Sequence, residues 1–144
     1  MSTLVAFIGW NLIITNSRML ADRNETYALL LSTISKSNSI CQAGNEFWST
    51  ESYENTNTIS ASKVFANDIH ILRTDLNLLS ERKMQYDISN ELYKLRRSLT
   101  LDAERPDKVQ DSIRAIKLED LTEAATSLKT KLYLAHMKKY KLTD

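Results

Sequence analysis

Residues 3–20 read TLVAFIGWNLIITNSRML, and no charged side chain occurs in residues 1–17. Leu4, Val5, Phe7, Ile8, Trp10, Leu12, Ile13 and Ile14 make this the one segment whose preferred solvent is open to question. A spanning helix needs about 20 mostly apolar residues at a rise of about 1.5 Å each, with a lower bound near ~17. The clean apolar part is shorter, roughly 13 to 15 residues, and only its uncharged flanks bring it to about 17, that lower bound. Gly9 weakens a helix in water but is common in membrane helices. Asn11 brings an amide that needs a hydrogen-bond partner in hydrocarbon, such as a second helix.

No Lys or Arg precedes this segment, whereas Arg18 and Arg23 follow it. The positive-inside rule then places the N-terminus outside and the bulk of the chain in the cytoplasm. The expectation is a single-pass anchor over residues 1–20 followed by a helical bundle domain over 21–144. There is no basic n-region and no Ala-x-Ala-like site, which argues against a cleavable signal. The competing expectation is a hydrophobic helix buried in a bundle or in a partner.

The chain has 144 residues, enough for one domain with a real core. It contains only two glycines and one proline. Turns of a β-rich protein need far more, so the sequence points to long helices. The formal net charge is +1, which gives no global field toward nucleic acid. A single cysteine, Cys41, excludes an internal disulfide.

Downstream of the first segment, Leu20, Tyr27, Leu30, Leu31 and Ile34 recur at helical steps. The pattern continues toward Phe47 and Trp48, so the spacing predicts one long helix over about residues 3–50. The serine-rich SKSNS at 35–39 is a point where it could kink. Residues 51–58, ESYENTNT, lack an apolar period and read as a loop. Phe65, Ile69, Leu72, Leu76 and Leu79 then step by four, three, four and three. This is a heptad seam and the expected assembly surface. Met84, Ile88, Leu92, Leu95 and Leu99 form a second stripe after a slip of five. Ser80 and Lys83 make a poor capping box, which favours one continuous helix over about 59–100. Pro106 marks the next boundary. A last helix is expected over about 107–141, with stripes Val109, Ile113, Ile116 and then Leu121, Ala124, Ala125, Leu128, Leu132, Ala135. A kink near Lys117 would explain the second slip. The fold class is all-α: long antiparallel helices in a three-helix coiled coil, or a four-helix bundle if a slip is a break.

Chemistry-bearing constellations are sparse. His70 and His136 each lack a second ligand at metal spacing. Cys41 has no histidine nearby in sequence. Asp87 and Glu91 at i, i+4 would repel, and Glu91 beside Lys94 reads as an ordinary solvated pair. Both glycines stand alone, so there is no phosphate-binding loop. No cofactor, metal or small-molecule substrate is implied, and an enzyme is not expected. Lys129, Lys131, Lys138, Lys139 and Lys141 form a basic stripe, a candidate contact for an anionic surface. Lysine spacing alone supports no base readout.

The function expected from these features is that of a small membrane-anchored interaction protein: a scaffold, adaptor or accessory subunit working with a protein partner or a second copy. The alternatives are a soluble subunit whose first helix is buried in a larger complex, and a membrane-permeabilising protein using Asn11, Thr15 and Asn16 as a polar stripe.

Overall fold

The computed structural model describes residues 2–49 and 58–141, with side chains from Trp10 onward and Ile59 excepted. Among these residues there are four α-helices: α1 Ser2–Ser49, α2 Thr58–Glu81, α3 Ser89–Thr100 and α4 Asp111–Lys139. A 3-10 turn, Pro106–Lys108, leads into α4. No strand occurs among the described residues. The chain is thus all-helical and bundle-like. α1 packs against α2 and α4, while α3 fills the space between α2 and α4.

α1 has 48 residues, about 72 Å at 1.5 Å per residue. α4, the longest of its partners, has 29. Only the C-terminal part of α1 is covered, from Asp22 and Thr26 onward. There its inner face buries Leu30, Ile34, Ile40 and Trp48. The same face also buries Thr26, Thr33 and Ser37. The Thr33 hydroxyl donates to the Leu29 carbonyl at 2.8 Å, so burying it leaves no unpaired donor. Ser39 bonds back to Ser35 in the same way. The serine-rich stretch therefore stays within an unbroken helix. Gly44 lies where α1 runs closest to α3 and α4. A Cβ there would meet Leu99 Cδ2 at 2.5 Å and Leu121 Cδ1 at 2.9 Å.

The continuous helix expected over 59–100 is broken. α2 ends at Glu81, and residues 82–88 form a turn and a short connection before α3. Lys83 sits at φ 61°, in the left-handed region. Its N–H donates to the Ser80 carbonyl at 2.8 Å, and the Met84 N–H donates to Leu79 O at 3.3 Å. This pair of bonds is a Schellman cap, with the usual apolar contact supplied by buried Met84 and Leu79. A glycine normally occupies the Lys83 position. The slip of five between the two apolar stripes is the length of this cap.

The heptad seam is used inside the chain. Phe65, Ile69, Leu72, Leu76 and Leu79 are all buried in the common core, together with Met84, Ile88, Leu95 and Leu99. It holds α2 to α1 and α3 and is not left open to a partner. At the far end of the core, Trp48 donates from Nε1 to Ser98 O at 2.9 Å and meets Phe47 edge-on.

The last helix also differs from expectation. Pro106–Lys108 forms its own 3-10 turn, and α4 starts at Asp111. It runs through Lys117 without a break. The second slip is absorbed differently: Ile113 and Ile116 are exposed, and Lys117 takes the inward position. Its Nζ donates to Leu101 O at 2.6 Å and lies 4.7 Å above the Trp48 ring. Burial draws this ammonium below its ordinary value, against the pull of Asp102.

Gly44→Leu is expected to destabilise the fold by about 2–3 kcal/mol, because a full side chain must displace Leu99 and Leu121 from a filled core. Chemical denaturation followed by circular dichroism measures the loss; an unchanged midpoint would contradict the close approach.

Candidate functional site at the root of the projecting helix

Residues 2–21 of α1 extend beyond the bundle, about 30 Å at 1.5 Å per residue. Within the described part of this projection, Trp10, Leu12, Ile13, Met19 and Leu20 are each about 60% exposed. At 100° per residue they point in several directions around the helix axis. Thr15 donates its hydroxyl to the Asn11 carbonyl at 2.8 Å. The side chains of Leu4, Val5, Phe7 and Ile8 lie outside the described residues. Among the described residues, no helix is long and apolar enough to cross a membrane.

Where α1 enters the bundle, a polar cluster joins three elements. Asp22 accepts from the Tyr140 hydroxyl at 2.7 Å and from Lys139 Nζ at 3.1 Å. Tyr140 is also within 2.9 Å of the Thr26 hydroxyl. Arg82, from the α2 cap, reaches Glu25 at 3.1 Å and Asp22 at 3.6 Å. The Tyr140 and Lys139 hydrogen bonds hold the Asp22 carboxyl below its usual value. Burial pulls the Lys139 ammonium down, but its contacts with Tyr140 and Asp22 more than offset this and raise it.

His136 lies beside this cluster and is buried. Its ring is 5.3 Å from that of Tyr27 and 4.8 Å from that of Tyr140. Nε2 has no hydrogen-bond partner among the described residues. Burial first, then Arg23 and Lys139, push its pKa down.

The candidate basic stripe is divided by these contacts. Lys139 is committed to Asp22. Lys131 pairs at 2.7 Å with Glu91, which is buried and also accepts from Ser127 at 2.7 Å. Burial pushes the Glu91 carboxyl up, but these bonds outweigh it and hold the pKa down. Glu91 is therefore an interior anchor, not the solvated partner of Lys94, which pairs with Glu123 instead. Asp87 lies ahead of α3, off the helix that carries Glu91. Lys129, Lys138 and Lys141 are exposed and carry no ion pair among the described residues.

Elsewhere the described residues hold no group of three or more side chains able to bind a metal. His70 is exposed on α2. The Cys41 thiol is half-buried, and burial raises its pKa, which disfavours the thiolate. The geometry defines an all-helical bundle with a bare apolar projection and a charged root. No protein-family model matches the chain, and neither a curated protein nor a solved structure matches it.

The cluster was missed in sequence because Asp22 lies about 60 residues from Arg82 and 118 from Tyr140. Asp22, Arg82 and Tyr140 share no periodic signal.

Tyr140→Phe should cost about 1 kcal/mol of stability at neutral pH, the scale of one partly exposed hydrogen bond to a carboxylate. Urea midpoints of the two proteins measure it, and the difference should shrink once Asp22 is protonated, at pH below its depressed pKa. His136 gives a separate window. Its folded pKa lies below the unfolded 6.5, so its contribution is intact above that value. It is lost as pH falls toward the folded pKa. His136→Phe should therefore lose less stability between pH 7 and pH 5 than the native protein does, as measured by thermal melts at both values.

Proposed function

We propose that this chain is a small membrane-anchored helical protein that acts by assembly, as a scaffold, adaptor or accessory subunit. The bundle faces the cytoplasm, and the first twenty residues form the anchor. The observation that carries this reading is the α1 projection, which leaves the bundle with large apolar side chains exposed on all but the face of Asn11, Thr15 and Arg18. A helix whose apolar side chains cover most of its circumference belongs in lipid or inside a larger protein, whereas a single groove would need one apolar face. The uncharged part of the projection, residues 2–17, spans about 24 Å at 1.5 Å per residue, somewhat less than a hydrocarbon core of about 30 Å. The back-bonded Thr15 hydroxyl needs no outside partner. Arg18 and Arg23 follow the apolar run at the side where the bundle begins. Leu134 and Met137, exposed on α4, offer the bundle a further apolar contact for a partner.

A second reading has its own support. Asn11, Thr15 and Arg18 recur at steps of four and three and share one face of α1. A polar stripe of this kind suits burial against a protein partner, or against a second copy, better than it suits lipid. On that reading the chain is a soluble subunit of a larger complex.

Membrane fractionation separates the two. The full-length chain and a version starting at Ala21 are extracted with carbonate, then salt, then detergent. The anchor reading expects the full-length chain to resist carbonate and salt while the shortened chain is released. If both are released, the projection is an interface with protein.

A further inference from the structure

The ion pairs at the root consume acidic groups and leave basic ones free. Asp22 and Glu25 are neutralised by Lys139 and Arg82. Arg18, Arg23, Lys83, Lys138 and Lys141 carry no ion pair among the described residues, and all five are exposed. They come from three parts of the chain that the fold brings to one end. Arg18 and Arg23 flank Asp22 on α1. Lys83 is the left-handed residue of the α2 cap, and it lines a small groove together with Lys138 and Lys139. Lys141 follows Tyr140, which is bonded to Asp22. Glu81 and Asp87 are the carboxylates near this end without an ion pair among the described residues, so positive charge remains in excess.

We infer that this end of the bundle is a docking face for an anionic lipid surface, with Arg18, Arg23, Lys83, Lys138 and Lys141 as a collar around the emerging helix. The inference rests on the membrane reading above and adds to it the class of lipid. Charge complementarity selects the occupant. The projection brings this end, and not the opposite one, against the headgroups of any bilayer that holds it. An anionic leaflet attracts each basic residue near its surface with a strength equivalent to about fivefold in affinity. The collar differs from the basic stripe along α4. Lys131 and Lys139 are spent on Glu91 and Asp22. Lys129 lies ten residues before Lys139, about 15 Å back along the helix. The Lys83 cap contributes because its fold places it beside the end of α4.

The test is a lysine-acetylation footprint read by mass spectrometry on the full-length chain. The chain is bound either to phosphatidylcholine vesicles or to vesicles in which part of that lipid is replaced by phosphatidylglycerol. Lys63 and Lys108, exposed on other parts of the bundle, serve as internal references. The expected result is severalfold protection of Lys83, Lys138 and Lys141 on the anionic vesicles, absent on the neutral ones and lost at high salt. The references should stay reactive throughout. Equal reactivity of the collar on both vesicles, with the chain bound to each, would overturn the collar and leave the anchor standing. Equal protection on both, or protection of the references too, would also overturn it. A chain that binds neither vesicle would overturn the anchor reading and the collar together.

Discussion

A helix can be buried only as far as its neighbours reach, and α1 is much longer than any helix available to cover it. This mismatch organises the molecule. The covered part is held by the core of Leu30, Ile34, Ile40 and Trp48 against the seam of α2 and the apolar face of α4. The uncovered part carries large apolar side chains into the surroundings. Burying such side chains is worth about 25 cal/mol for each Å² removed from water. Leaving them bare from Trp10 to Leu20, about 15 Å of helix, is costly, which is why the projection calls for lipid or protein around it.

Polar chemistry is concentrated where the two regimes meet. Asp22, Thr26, Arg82, Lys139 and Tyr140 tie α1 to the α2 cap and to the end of α4. Each of these ion pairs is partly exposed, and pairs of that kind contribute little individually. Their joint effect is geometric: they close the bundle at the residue where the projection begins. Two interior charged groups elsewhere are also tied down by specific contacts. Glu91 takes Lys131 and Ser127, and Lys117 takes the Leu101 carbonyl.

The helical class, the length of α1 and the seam from Phe65 to Leu79 were all legible in the sequence, because apolar period is a strong signal over many residues. The break after Glu81 was not, because its cap places lysine where glycine is expected at a left-handed position. The slip of five was visible, but it has two meanings, a stutter within one helix or the length of a Schellman turn. At the second slip the same five-residue step meant neither, since Lys117 occupies the core side while Ile113 and Ile116 face outward. Inward lysines defeat a pattern read from hydrophobicity alone. The root cluster was illegible for a different reason: it is assembled by the fold from distant positions, and nothing local marks Tyr140 as the partner of Asp22.

The unbroken run of α1 through the root has a mechanical consequence. No proline lies in it, and its second glycine, Gly44, is deep in the bundle, so no hinge separates projection from body. Whatever grips the first twenty residues also sets the tilt and rotation of everything else. The Trp48 end then stands off from the root by the 26 residues of helix that separate Asp22 from Trp48, about 39 Å. A grip on the stem would therefore hold the far end at a fixed height and facing.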